Sequence, residues 1–400
     1  MNIKYLRIKS LLLVTCICAA NAAKVGAQSP TDAVLRQIEK NNPQLQAAAA
    51  EAEAEKLENK AGALPGNPEF EFNYLWGSEG LGKRHDFRVT QAFDVATLTG
   101  MKSRQAAGQN ELAALRYKSE RIDVLLEAKQ ACINLIYCNA LKAELSTHLD
   151  QAGTLVTSFE KRLEAGGASV LDLNKAKIHL TSVRGQLSQV EVERQALLAT
   201  LKYLNGGEDI ILDETSYSVS DILPADFESW YEEASQKNPV LQYVRQEVSV
   251  GKKQLSIDKT AWLPELTVGY MSELTSSDKF RGLTVGVNIP LWSNANKVKQ
   301  ARARIVAAES RKVAAEQRFC FELMAQYNTA AKLKENSELM RASLSETDSR
   351  EYLLSAQSKG EISMIEYLVE TDQYYEALEQ TLAAERDYHL ALARLNAVEL

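Results

Sequence analysis

The sequence predicts a mainly α chain in which long coiled-coil hairpins carry four short β-strands, laid out as two copies of one plan. Three observations predict it. First, Asn42-Pro43, Pro68-Glu69-Phe70 and Tyr74 return as Asn238-Pro239, Pro264-Glu265-Leu266 and Tyr270, a constant offset of 196 residues from positions 42, 68 and 74. The register continues without a gap, since Phe87, Val89 and Phe93 align with Leu283, Val285 and Ile289. Second, each copy holds two segments that alternate polar with apolar residues, the two-residue period of a strand with one apolar face. Third, each alternating pair is followed by long stretches rich in Ala, Leu, Glu and Gln, strong helix formers with few breakers among them.

The elements follow in order. Lys4, Arg7 and Lys9 precede the apolar run Leu11 to Ala20 and small-residue cleavage sites such as Val25-Gly26-Ala27. This reads as a secretory signal peptide over residues 1–27, too short in its apolar part to span a bilayer as a helix. The mature chain is therefore expected outside the cytoplasm. Thr15 before Cys16 makes a poor acylation site. The first copy is assigned to 28–205, a linker to 206–226 and the second copy to 227–400. From Thr31 to Lys60 the pattern is helical and breaks only at Asn42-Pro43, where proline can open a new helix but not continue an old one. Pro65, Gly66 and Pro68 end it. Glu69 to Trp76 then alternates, a loop is expected over Gly77 to His85, and Phe87 to Phe93 alternates again, giving a strand hairpin within 69–94. The second copy repeats this within 265–292, with Leu266 to Tyr270, a loop over Thr275 to Gly282, and Leu283 to Ile289.

Both hairpins lead into helices. Met101 to roughly Ala152 lacks proline, and a continuous helix there would be about 75 Å long at 1.5 Å per residue. After Gly166-Gly167, the residues Leu173, Ala176, Leu180, Val183, Leu187, Val190, Arg194, Leu197, Leu201 and Leu204 fall at three-four spacing, a coiled-coil seam with one polar break. Val298 to Leu344 and Ile365 to Leu395 repeat the two-helix plan around Lys359-Gly360. A short strand is expected at Ile210-Ile211-Leu212.

Function classes narrow quickly. The net charge of −7 with 25% charged residues offers no basic field for nucleic acid. Cys132 and Cys138 lie about 9 Å apart along a helix axis, so a bridge between them would strain it; buried small hydrophobes are the expectation for these thiols. His85, His148, His179 and His389 show no ligand spacing, so no metal and no cofactor are expected. There is no phosphate-binding glycine loop, H-E-x-x-H or G-x-S-x-G motif, and the chain is not expected to be an enzyme. No apolar run in the mature chain reaches roughly 18 residues, so a membrane crossing would have to be made by β-strands. In the second copy the apolar strand residues alternate with Thr, Gly and Asn, which suit a watery lumen; a sandwich edge would show the same alternation. Four strands cannot close a barrel, and open edges are not tolerated in lipid, so a membrane form must oligomerise.

A signal peptide, an Asn-Pro helix start, a strand hairpin and a helical hairpin with a glycine turn, all repeated, together resemble the TolC-type outer-membrane efflux family over essentially the whole mature chain. The run Arg84-His85-Asp86-Phe87-Arg88-Val89-Thr90-Gln91-Ala92-Phe93-Asp94 resembles the cation-efflux branch most. The resemblance implies an outer-membrane duct of a tripartite pump. Three protomers would each give four strands to a twelve-stranded barrel, and their helices would form a periplasmic tunnel. The implied partners are two further copies, a periplasmic adaptor protein, an inner-membrane transporter and outer-membrane lipid. On this reading Phe70, Phe72, Tyr74, Trp76, Phe87, Val89, Phe93, Leu266, Val268, Tyr270, Val285, Val287, Ile289 and Leu291 face lipid, with Trp76, Tyr270 and Trp292 at the interface belts. The turns containing Gly166, Gly167 and Ser169, and Gly360, Glu361 and Ser363, match the family's adaptor-contacting tip. Asp172 and Glu366, six residues beyond the aligned glycines, and Glu370 one turn on, are candidate gate carboxylates that three-fold repetition would gather. The other reading of the acids is that they complement a helix dipole. The rival for the whole chain is a soluble periplasmic coiled-coil adaptor or scaffold.

Overall fold

In the computed structural model, residues 29–78, 82–218, 222–292 and 294–400 are described. The segment 1–27 expected to be a signal peptide, with Cys16, lies outside them. The chain divides into two compact units of three stretches each: one holds 43–126, 224–331 and 394–400, the other the residues up to 42 with 127–223 and 332–393.

The first unit contains the sheet. Its helix α2 (Pro43–Gly62) precedes β1 (Glu69–Trp76) and β2 (Lys83–Phe93), and α7 (Pro239–Thr260) precedes β3 (Glu265–Leu274) and β4 (Lys279–Asn288). Asn238 caps α7, its side chain accepting from the Leu241 amide, with Pro239 as the first helical residue. The four strands form one antiparallel sheet in the order β1-β2-β3-β4. Strands β2 and β4 begin earlier than the sequence reading placed them, at Lys83 and Lys279, because the loops are short: a Gly77 amide donates to Gly82 O, and a Thr275 amide to Asp278 O. Polar residues at a hairpin tip can pair as well as apolar ones, so hydropathy under-calls strand ends there. Ile289 and Leu291 lie beyond the end of β4.

The second unit is helical. It includes α1 (Pro30–Asn41), α5 (Val170–Leu204), α9 (Arg350–Lys359) and most of α10 (Met364–Leu395). Two helices, α4 (Met101–Glu164) and α8 (Lys297–Glu346), contribute to both units; the remaining ones, α3 (Val95–Leu98) and α6 (Phe227–Lys237), belong to the first. The seam on α5 is real: Leu173, Ala176, Val183, Val190, Leu201 and Leu204 are buried, with Leu180, Leu187 and Leu197 partly so. Its polar break is satisfied, as Arg194 Nε donates to Asn139 Oδ1 at 2.8 Å and Asn139 donates to Leu212 O and Glu214 O.

One expectation is corrected. No strand forms at 210–212; Ile210 and Leu212 are buried in an extended segment whose Leu212 carbonyl is taken by the Asn139 side chain rather than by a ladder. The sequence reading ended the helix before Gly360 at Leu344; α8 runs to Glu346, and Thr347-Asp348-Ser349 separates it from α9. Asp348 accepts from both the backbone and the guanidinium of Arg350, a local bond that competes with helix continuation. Arg350 also reaches Glu144 at 2.9 Å and lies over the Tyr374 ring. Cys132 and Cys138 are free and buried, their thiols pushed up to about 12 and about 11 by burial. Among the described residues no helix is long and apolar enough to cross a membrane.

Candidate functional site

Strand pairing sorts the sheet residues into two faces of opposite character. Register aligns Phe70 with Val89, Val89 with Tyr270 and Tyr270 with Leu283; it likewise aligns Phe93 with Leu266 and Leu266 with Val287. Successive residues of a strand point to opposite faces. One face therefore carries Phe70, Phe72, Tyr74, Trp76, Phe87, Val89, Phe93, Leu266, Val268, Tyr270, Leu283, Val285 and Val287. Phe70 and Phe87 meet edge to face at 4.9 Å. Most of these side chains are exposed in the single chain, Val285 at 68% and Trp76 at 78%. Toward the hairpin tips the same face turns basic, with His85, Lys83, Lys279 and Arg281. The opposite face carries Glu71, Asn73, Arg88, Thr90, Thr267, Glu273, Thr284 and Asn288, laced by ion pairs of Arg88 with Glu71 and of Arg84 with Glu273. At Gly269 on that face an added Cβ would stand 2.4 Å from Val89 O, so only glycine lets β2 and β3 pair there.

The two glycine turns have the same construction. At the first, Gly167 N–H donates to Arg162 O and Gly166 N–H to Leu163 O; at the second, Glu361 N–H donates to Ala356 O and Gly360 N–H to Gln357 O. Both are Schellman ends, and the glycines sit at φ of 75° and 78°. The serine three residues on opens the next helix in each case. Ser169 caps α5 by accepting from the Leu171 amide. Ser363 forms a capping box, in which its amide donates to Glu366 Oε2 at 2.7 Å and its hydroxyl accepts from the Glu366 amide at 3.2 Å. These bonds hold the Glu366 carboxyl below its usual value. Asp172 stands 3.5 Å from Lys175 in the first turn of α5. Both acids thus have a helix-start role, and Glu370 is exposed one turn further on. The turns are joined: Arg162 donates to Ser358 O at 2.8 Å. Beneath them Leu155, Val156, Phe159, Leu173, Ala176, Leu353, Met364 and Tyr367 form one core drawn from four helices.

The structure also gathers residues that sequence spacing left scattered. His148 and His179, 31 positions apart, bring their Nε2 atoms to 3.2 Å, and Asp372 Oδ1 lies 3.4 Å from His179 Nδ1. A ligand-capable atom from each of the three lies within 4.8 Å of the others. The signal was there in the helical period. His148 continues the buried stripe of Leu141, Leu145, Ala152 and Leu155 on α4, and His179 stands between Ala176 and Val183 on the α5 seam.

Comparison with known proteins agrees with this architecture. No curated protein matches the sequence. Solved structures do match in fold. The outer-membrane channel OprN is similar with a TM-score of 0.73 at 13% identity, over 92% of this chain and 89% of that one. The CmeC outer-membrane channel of Campylobacter jejuni gives 0.72 at 15% identity, over 92% and 85%. CusC gives 0.69 at 15% identity, over 94% and 92%. Residues 230–398 match the family model described as outer membrane efflux protein. These residues are thus similar to the outer membrane efflux protein domain, and the chain as a whole shares the fold of these outer-membrane channels.

Proposed function

We propose that the chain is the passive outer-membrane duct of a tripartite efflux pump. Three copies close a twelve-stranded barrel, two copies of one structural plan (28–205 and 227–400) supply each protomer's strands and helices, and the helices line a periplasmic tunnel. Energy comes from an inner-membrane transporter reached through a periplasmic adaptor, and the exported cargo includes cations. The observation that carries this reading is the two-faced sheet: an apolar face without charge across Phe70, Val89, Tyr270 and Leu283, backed by a charged one. A four-stranded sheet with both edges free satisfies its backbone in lipid only by joining copies of itself, and twelve strands is an even count within the range of such barrels. The apolar face then meets lipid, the charged face lines water, and Trp76 and Trp292 belong to the interfacial belts.

The turns at Gly166 and Gly360 are the adaptor-contacting tip on this reading, and Asp172, Glu366 and Glu370 are the carboxylates that narrow the tunnel. Their repetition around a three-fold axis would favour cations over anions. The orientation of the sheet is tested by charge placement. Val285→Arg should cost roughly 2–4 kcal/mol in the unfolding of the lipid-reconstituted protein if it lies near the bilayer midplane, whereas Thr284→Arg, one residue away on the other face, should cost little. Equal penalties at the two positions would reject a lipid-facing assignment of the apolar side.

A further inference from the structure

We infer that His148, His179 and Asp372 form a binding site for one divalent transition cation of the zinc, nickel or copper(II) class, held between α4, α5 and α10. All three residues lie in one chain and in one compact unit, so the site does not depend on the duct reading.

The geometry is close to what such an ion requires. Two imidazole nitrogens bound to one tetrahedral ion at 2.0–2.1 Å stand about 3.3 Å apart, and the Nε2 atoms of His148 and His179 are 3.2 Å apart. Entry of the ion therefore needs almost no movement of the two rings. Their orientation is fixed from both sides. His148 is stacked on Tyr375, with centroids 3.7 Å apart and planes 4° from parallel. His179 faces Asp372 through Nδ1, the arrangement in which a carboxylate orients a ligating histidine and raises its basicity.

The proton inventory points the same way. An ionised carboxylate only accepts, so His179 carries its proton on Nδ1 and presents a bare lone pair at Nε2. His148 Nε2 then carries the proton shared between the rings, which leaves His148 Nδ1 as a lone pair. Among the described residues that nitrogen is buried with no hydrogen-bond partner, in a residue only 2% exposed. A buried polar atom without a partner is uncommon and calls for an occupant or a proton. When an ion enters between the Nε2 atoms, the proton it displaces has this position to go to. Both rings are buried, which favours the neutral, ligating form of an imidazole. Asp372, whose side chain is 63% exposed, brings the carboxylate end of the site to the surface. Imidazole ligands select first-row transition ions over magnesium or calcium.

The full-length protein, extracted in detergent and stripped with a chelator, should bind one zinc ion per chain by isothermal titration, with no heat from magnesium. The double variant His148→Gln, His179→Gln should lose zinc binding at least 100-fold. Asp372→Asn should weaken it roughly 10–100-fold, as loss of an orienting carboxylate does. His85→Gln, on the sheet, should bind as the parent does. Cobalt(II) added to the unaltered protein provides a test free of any folding defect, because imidazole ligation produces visible d–d absorption. Absence of that absorption, zinc binding undiminished in the double histidine variant, or zinc binding abolished by His85→Gln would each overturn the site.

Discussion

Glu366 accepts from the Ser363 amide while its own amide donates to the Ser363 hydroxyl, and this reciprocal pair closes the first turn of α10. Its folded value lies below the ordinary one because those bonds favour the carboxylate. The stabilisation is therefore complete above the unfolded value, near 4.3, and is lost as pH falls through the depressed folded value. Amide protection at Ser363 should drop over that acid range in the parent and stay flat in Glu366→Gln, whose side chain can still close the box. Protection that falls equally in both would assign the acid loss elsewhere. The same substitution separates charge from capping in the tunnel reading. Asp172→Asn with Glu366→Gln removes two carboxylates per chain while keeping the helix start, and single-channel conductance in planar bilayers should then show weaker cation preference and altered closure. Parent-like conductance and selectivity would reduce both acids to helix-start residues. At this scale the sequence was least informative. Nothing local marks that Arg162 reaches Ser358, or that His148 meets His179, since those encounters depend on which helices pack together.

Among the elements, the strands and turns were legible because each answers to a short-range rule. Alternation in Glu69–Trp76 and in Leu283, Val285 and Val287 assigned one face correctly before any register was known, and pairing then joined the apolar positions across all four strands. Strand starts at Lys83 and Lys279 were missed because charged residues at a hairpin tip carry no hydropathy signal. The end of α8 was placed at Leu344, close to Glu346, but α9 was not assigned: Thr347-Asp348-Ser349 has no proline or glycine, and the interruption rests on side chains competing for backbone bonds. Gly166 and Gly360 were found because a glycine between two helical patterns has a single common use, the left-handed end of a helix. Open space surrounds both, with nothing within 4 Å of an added Cβ, so a bulky replacement would strain the backbone without colliding with the core. Gly166→Trp with Gly360→Trp should therefore leave the protein folded and assembled at parental levels in the outer membrane, yet abolish export through lost adaptor engagement. Export at parental rates would remove the turns from the docking surface.

For the whole molecule, the constant offset of 196 residues suggested a duplicated plan, because a repeat that keeps register through strands and turns constrains the fold more than any single element does. What one chain does not contain is closure. Its sheet ends at β1 on one side and β4 on the other, with an exposed apolar face that lipid and further copies would cover on the proposed reading. Native mass spectrometry of the detergent-extracted protein measures this directly. A single species of three chains, which falls apart or precipitates when detergent is removed, is the result the account predicts. A monodisperse single chain that stays soluble without detergent would contradict it.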